Sequence, residues 1–496
     1  MRKSLIGICV SIPLALALAC NDDSDNPDMS GGGSANGGEP SAGTGGKVGG
    51  SSHGGSAGSS VAGSSHAGTT NVPAQGGEST DGGAPAVLGG SAGHGDADEG
   101  GAGGQGPQMV GVDAVYTMSN DAAGNQVLGF LRALDGSLTP MAAPFETGGH
   151  GSGAGLGEQG AVAYDVAKQR LYVVNAGDHS FTVFRVESDG TLSHAQNVTT
   201  TGFGDDAASL LGPKSVSFRD DVVYVLFQGT ANVPSKIAGW KVVDAGAGFE
   251  ATTIAGSALA LSSATQSVDP AQVSFSPDGK WLVVTEKQSG ANGTFAGDGS
   301  IDTFSVSATG LAVKKGFYAT AAAPGGGLQK VPFGFAFARN YLIVSEAGST
   351  GTGSYSLEDG VVAPASAGQF MATAPAPCWV AVSGPFAYVA NAQGPNLSGF
   401  EVAANGGLSS ITPIDKAIVA STGRIVMGDG GPMVQGPTDE ATSEDGKYLY
   451  VLNARVPSIG IFEVAAAGTL SRVGSADFTP PQLAQLPVGS VGLAAR

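Results

Sequence analysis

The chain has 496 residues, enough for two to four average domains, yet 82 are glycine and only 13% are charged, so much of it need not fold. A formal charge of −19 without a lysine or arginine cluster excludes a nucleic-acid surface, which needs grouped cations to neutralise phosphates. Two of the three cysteines, Cys9 and Cys20, lie at the extreme N-terminus and leave Cys378 alone in the body, which excludes a disulfide framework and, with no His-x3-His spacing, argues against a zinc site.

In chain order, Arg2 and Lys3 precede an apolar stretch over 5–18, shorter than the ~20 residues a bilayer needs. This is the pattern of a secretory signal over 1–19. It ends Ala17-Leu18-Ala19-Cys20, which resembles the lipobox of bacterial lipoproteins, with Ala17 in place of the commoner Leu. The resemblance implies lipidation at Cys20 and a chain held at the bacterial cell envelope, periplasmic or surface-exposed. The membrane is then touched only through the anchor.

Residues 20–108 are almost entirely Gly, Ser, Ala, Asn, Asp and Pro, as in "GGKVGGSSHGGSAGSSVAGSSHAG", with no aromatic residue and no apolar period. Such a segment cannot bury enough surface to offset its ordering entropy, so a disordered tether is expected, with a root-mean-square reach of roughly 50 Å. His53, His66 and His94 are read as solvated.

From 109 to 496 the pattern changes to a repeat. Apolar runs "VYTMSN", "LYVVN", "VYVLF", "WLVVTE", "YLIVSE", "AYVAN" and "LYVLN" place anchors at Tyr116, Tyr172, Tyr224, Leu282, Leu342, Tyr388 and Tyr450, spaced by 46 to 62 residues. Six runs follow a shorter apolar segment and a polar turn such as Ser276-Pro277-Asp278-Gly279, a hairpin signal. A third segment such as "IDTFSV" and a Gly turn such as Asp189-Gly190 lead to a weaker fourth. Four short strands per unit without helical periodicity make a propeller blade. The first run has only the tether ahead of it, whereas "LPVGSVGLAAR" at 486–496 is similar to the inner segments of the other units. An all-β, seven-bladed propeller closed by its C-terminal strand follows; an eight-bladed ring or a sandwich would need anchors that are absent. A closed ring needs no partner for its stability, and a monomer is expected.

In such a blade the residues before the first strand and after the second share one face around the channel. This places Gln159, Lys214, Gln272, Phe333, Cys378, Trp379 and Asp439 at one mouth, with Asn175, Glu286, Glu346, Asn391 and Asn453. The asparagines are read as turn formers. Glu286 and Glu346 replace Asn in adjacent repeats, so two carboxylates are expected to face one pocket. Cys378 has no His nearby to make it a nucleophile. The run "GGHGSGAGLGEQG" at 148–160 has no following helix to hold phosphate and reads as a flexible loop lining the channel, with His150, Glu158 and Gln159 as polar contributors.

The repeats "GPTDEATSEDGKYLYVLN" and "DPAQVSFSPDGKWLVVTE" resemble those of the seven-bladed propeller lactonase family, which includes a type of 6-phosphogluconolactonase and the carboxymuconate cyclases. The resemblance spans all seven repeats and implies a lactone as small-molecule substrate. That family carries "GPRH" opening an inner strand and "VNE" after the next; here the segments read "VPFGFAF" and "VSE". Pro332 and Glu346 match, whereas the Arg falls on Phe333 and the His on Gly334. Catalysis is then expected to use Glu346, Glu286 and Lys214, with Gln159, Gln272, Phe333, Trp379 and Asp439 binding. The alternative is a non-catalytic propeller that binds a glycan, peptide or partner protein as a surface ligand. No cofactor is expected; a divalent metal in the channel stays open.

Overall fold

Each of the seven apolar runs forms the second strand of a blade. The structure, a computed structural model, describes residues 113–200, 212–230, 233–262, 269–287, 299–320, 330–365, 370–373, 376–393, 396–411, 418–421, 425–428, 431–434, 436–453, 458–473 and 490–496. All belong to the unit that includes Met109–Arg496. The signal expected over 1–19 and the tether over 20–108 lie outside the described residues.

Seven antiparallel sheets of at least four strands follow in order. Blade one runs outward from Val491–Ala495 through Ala114–Met118 and Gln126–Arg132 to Leu138–Pro140, and blade two from Val162–Asp165 through Arg170–Asn175 and Ser180–Val186 to Leu192–Thr199. Blade three holds Gly212–Arg219, Val222–Gln228, Lys236–Ala245 and Gly248–Thr253; blade four holds Pro270–Phe275, Trp281–Glu286, Ser300–Val306 and Ala312–Ala319. Blade five holds Pro332–Ala338, Tyr341–Glu346, Gly351–Glu358 and Val361–Pro364; blade six holds Pro377–Ser383, Phe386–Asn391, Asn396–Val402 and Leu408–Ser410. Blade seven holds Asp439–Thr442, Tyr448–Asn453, Ser458–Val464 and Leu470–Arg472. A hairpin of Ile425–Gly428 and Gly431–Val434 lies in the connection from blade six to blade seven, which accounts for the widest anchor spacing and is absent from a four-strand reading.

The ring closes as expected: Tyr116 pairs with Ala494 and Thr117 with Leu493. The C-terminal strand thereby covers an inner edge that would otherwise be exposed.

Second strands are apolar on both sides because their side chains alternate between two neighbouring blades. Leu282 and Val284 pack with Val222, Tyr224 and Leu226 of blade three, whereas Val283 packs with Leu342 and Val344 of blade five. Each fully buried side chain of this kind contributes about 1.5–3 kcal/mol.

The tyrosine anchors have a second task. Tyr116 donates to Gly190 O at 2.7 Å, Tyr224 to Gly310 O at 2.8 Å, Tyr388 to Gly468 O at 2.7 Å and Tyr450 to Gly136 O at 3.1 Å. In each case a second strand is tied to the Gly turn of the next blade, and the last bond joins blade seven to blade one. The turn demands glycine: Gly190 has φ +81° and Gly136 φ +80°, a region other residues rarely occupy. Tyr450→Phe leaves the Gly136 carbonyl without this donor and is expected to cost about 1–3 kcal/mol, read as a lowered urea midpoint at unchanged slope. An unchanged midpoint would show that the hydroxyl is dispensable. Between blades two and three the tie is Arg170, 2% exposed in its side chain, which donates to Val242 O at 2.9 Å, Asp221 at 3.1 Å and Asp244 at 2.9 Å.

Candidate functional site: a buried charge cluster at one end of the channel

Four inner strands carry a proline as their first or second residue, followed by a bulge. Pro213, Pro270, Pro332 and Pro377 pair with the ends of their second strands, and the register then slips, setting Lys214, Ala271, Phe333 with Gly334, and Cys378 out of the regular ladder. A strand's first residue tolerates a missing N–H, and a bulge re-aims the side chain it carries. The bulges gather at one end of the channel.

Charge collects there. Asp269 sits before Pro270 and Lys287 follows Glu286, so a single loop end of blade four supplies both. Lys214 Nζ lies 2.5 Å from Asp269 Oδ1 and Lys287 Nζ 2.8 Å from Asp269 Oδ2. One carboxylate thus bridges two ammonium groups. Burial alone would raise Asp269, but the two lysines outweigh it and hold its carboxyl down at about 2. Burial pushes Lys287 down to about 8, against the pull of Asp269. Its ammonium also donates to Gly157 O at 2.5 Å and stands 4.8 Å from the centre of the Phe333 ring, a cation–π contact.

Two further carboxyls extend this group, Glu158 next to the lysines and Asp439 next to Glu158. Burial raises Asp439 to about 8. Glu158 is raised by burial and by Asp439, with Lys214 and Lys287 pulling the other way. Glu440 is likewise raised, by burial and then by Asp439, while its Oε1 accepts from Ala381 N at 3.1 Å. Oxygens of Glu158, Asp439 and Glu440 are buried with no hydrogen-bond partner. Among the described residues no group of three or more His, Cys, Asp or Glu is placed to hold a metal ion.

Residues 157–160 lie across this end of the channel. Gln159 N donates to Ala271 O at 3.1 Å and Val216 N to Gly160 O at 2.8 Å. Trp379 Nε1 donates to Glu158 O at 2.7 Å. The Gln159 side chain gives Nε2 to Val380 O at 2.8 Å and takes Val380 N on Oε1 at 3.0 Å, the pairing a neighbouring strand would make. Three other blades are bridged by four residues. The loop expected to be flexible is therefore pinned at this end, because its amides complete the unpaired inner edges of blades three, four and six. His150 stands apart and exposed, against Asp178 at 3.3 Å.

The expected pairing of Glu286 with Glu346 does not occur. Strand alternation sends Glu286 to the blade-three side with Leu282 and Val284, where Ser300 Oγ donates to it at 3.1 Å and burial followed by Asp302 raises it to about 8. The same alternation sends Glu346 toward blade four, where Tyr355 OH donates to it at 2.6 Å. Each occupies the place taken by Asn175, which meets Ser180 and Thr182 at 3.0 Å, and by Asn391, which meets Ser398 at 3.2 Å. Lys214 meets Asp269 instead of either glutamate. Of the residues expected to bind, Phe333 and Trp379 pack edge to face, centroids 5.4 Å apart. Gln272 braces Phe335 through both its amide atoms at 2.7 and 3.1 Å, so it belongs to the channel wall, as Gln159 does. Cys378 is buried, its Sγ 3.3 Å from Ala376 O, within the wall that Phe333 and Trp379 form.

Asp269, Lys287 and Glu440 escaped the sequence reading. Lys287 left a trace: the position after the second strand is Ala176, Ala347 and Ala392 in sister blades and Lys only in blade four.

The mouth itself is filled. Glu158, Lys214, Asp269, Lys287 and Asp439 are between 1% and 9% exposed. Open space lies further along the channel, in a cavity of about 530 Å³ that runs from Gly160 and Gln272 to the Ser276–Gly279 turn and includes Ser217, Arg219 and Asp278 in its wall.

No family model matches the chain, and no curated protein matches it. Solved structures do. A "putative 6-phosphogluconolactonase" from Bacteroides fragilis NCTC 9343 is 17% identical, with TM-score 0.53, covering 79% of this chain and 100% of its own. One of the same description from Bacteroides uniformis ATCC 8492 is 15% identical, with TM-score 0.53, covering 78% and 100%. A protein from Lactobacillus plantarum is 15% identical, with TM-score 0.52, covering 78% and 99%. At these identities the likeness is one of fold: the chain shares the seven-bladed propeller architecture with these proteins.

Proposed function

We propose that this protein is a bacterial cell-envelope lipoprotein, anchored at Cys20, whose propeller hydrolyses a lactone at the channel end, with Lys214, Lys287 and Asp439 as the working groups. The observation that supports it is the Lys214–Asp269–Lys287 bridge, to which the raised carboxyl of Asp439 is linked through Glu158, on which Asp439 and both lysines act. Ring opening needs a base for water, a cation for the oxyanion and a proton for the leaving ring oxygen. Ionised Asp439 takes a proton as water attacks the carbonyl carbon, and the tetrahedral oxyanion meets Lys287 or Lys214. The carbonyl re-forms as the ring C–O bond breaks, the alkoxide takes the proton from Asp439, and a hydroxy acid results. Lys287 also answers the departure at Phe333, since its ammonium returns a cation to the place where the resembling family has Arg. The position of that family's His is closed: a side chain on Gly334 would meet Gln159 Oε1 at 2.0 Å and Cys378 O at 2.6 Å.

The test uses the full chain, purified in detergent, on a panel of sugar and aliphatic lactones, with intact mass reporting the lipid on Cys20. Turnover is expected for the wild type and for Glu346→Gln and Glu286→Gln, whose side chains serve blade contacts. Inactivity on every lactone removes the hydrolase reading; an unlipidated mature terminus removes the anchor. The second reading, a non-catalytic propeller binding a surface ligand, is favoured by the open polar cavity lying away from the buried cluster.

A further inference from the structure

We propose that the cavity in the open half of the channel binds a neutral sugar, which enters from the face of the hairpin turns, opposite the charge cluster. The inference rests on the second reading above and names its ligand; it stands apart from lactone turnover. Three observations carry it.

The first is access. A cavity of about 530 Å³ has the size of an ordinary small-molecule site. Its rim holds the turns between the first and second strands of blades three and four, where the side chains of Asp220 and Asp278 are 86% and 48% exposed. Its other end is walled by Gly160 and Gln272, beside the filled mouth, so the turns are the way in.

The second is charge. Arg219 is the cation of the wall, and it is already committed: it donates to Gly279 O and to Ser307 O, the latter at 3.0 Å, with its guanidinium carbon 5.3 Å from the centre of the Phe275 ring. It also lies 4.0 Å from Asp220, while Lys280 meets Asp278 at 3.1 Å. The rim charges are thus paired. The wall behind them, which includes Ala163, Val216, Ser217, Phe218, Gln272 and Ser274, carries none. A neutral ligand fits such a wall; a charged one meets no counter-charge there.

The third is hydrogen bonding. Ser217 and Ser274 hold the same register on adjacent inner strands, opposite Tyr224 and Val283. Sister blades carry alanine there, as at Ala163 and Ala381, so the hydroxyls are confined to the blades that line the cavity. Both bracket Phe275: Ser217 Oγ accepts from its N at 3.0 Å, and Ser274 Oγ donates to its O at 3.3 Å. Ser217 therefore keeps a proton to donate, and Ser274 keeps lone pairs to accept with. Each ring hydroxyl of a sugar can do both, so two neighbouring hydroxyls answer the pair, while Val216 and Phe218 offer apolar surface to the C–H groups.

The experiment measures binding. The full chain, in a detergent without a sugar headgroup, is titrated by calorimetry with D-glucose, D-galactose, maltose and cellobiose. D-glucuronate serves as the charged counterpart, and a casein digest supplies peptides. At least one neutral sugar is expected to bind with a millimolar or tighter Kd, and glucuronate more weakly than glucose. Ser217→Ala combined with Ser274→Ala gives both blades the residue of their sisters. It is expected to weaken sugar binding about tenfold, the worth of two ordinary hydrogen bonds, with lactone turnover unchanged. A wild type that binds none of the sugars overturns the proposal, as does affinity that survives the double substitution. Glucuronate bound as tightly as glucose overturns the neutral class. Should the double variant not fold, Ala163→Leu adds bulk to the wall without removing a hydrogen bond; lost sugar binding then supports the site and retained binding overturns it. Casein peptides that bind in place of the sugars, and cease to in Ala163→Leu, overturn the sugar and leave the second reading standing. Sugar binding in a chain that opens no lactone removes only the hydrolase reading, whereas lactone turnover with no sugar bound removes only this site.

Discussion

Asp269→Asn is expected to destabilise the propeller by about 3–5 kcal/mol at pH 7, the cost of removing one partner from a buried charge group. The amide keeps the shape of the carboxylate but leaves the ammonium groups of Lys214 and Lys287 facing each other out of water. The pH dependence follows from the depressed carboxyl. Its folded pKa of about 2 lies below the ordinary aspartate value, so the stability it contributes is present above about pH 4 and is lost as pH falls toward 2. Urea melts of wild type and variant should therefore converge in acid. A loss below about 1 kcal/mol at pH 7 would show that the bridge contributes little. Adding Lys287→Met should recover part of the loss by removing one of the stranded charges.

Asp439→Asn is expected to act in two opposite directions. As the proposed base it should lose about 10²- to 10⁴-fold in kcat/KM. Its carboxyl, raised to about 8 by burial, has the reverse linkage to Asp269: between about pH 4 and 8 the unfolded chain releases a proton that the folded chain keeps. Stability then falls with rising pH across that window, by up to about 1.4 kcal/mol per unit. The amide cannot ionise, so the variant should melt higher than wild type at pH 8. The wild-type rate should climb with pH toward about 8 as Asp439 ionises and fall again above it as Lys287 loses its proton. Slower turnover joined to greater stability excludes misfolding as the cause of the loss; an unchanged rate would remove Asp439 from the mechanism.

The fold was legible because a blade repeats its signals: the Tyr and Leu anchors, the Ser-Pro-Asp-Gly turn and the C-terminal run similar to the inner segments. The ties between blades were not legible. Tyr450 and Gly136 are each visible as a repeat feature, but their bond joins opposite ends of the chain, and nothing in either segment names the other. At the site, Lys214 and Asp439 fell where the repeat alignment placed them. Glu286 and Glu346 were placed at the correct end but on the wrong side, because position along a strand was read without its alternation; Glu286 and Lys287 are neighbours that face different ways. Residues 157–160 were silent for another reason. A glycine-rich run has no period, so its course across the channel depends on inner-strand edges contributed by three other blades.

The closing strand also orders events in time. Thr117 Oγ1 donates to Val491 O at 3.3 Å across 374 residues of chain, a separation that makes this pairing a late, entropically costly step of folding. Synthesis proceeds from the N-terminus, so blades two to seven are complete while blade one still lacks its inner strand. Until the last residues arrive, the nascent ring is an open arc with an unpaired β-edge at Ala114–Met118, a surface prone to intermolecular association. A chain that stalls before Val491 is therefore at greater risk of aggregation than one shortened within its fourth-strand edges.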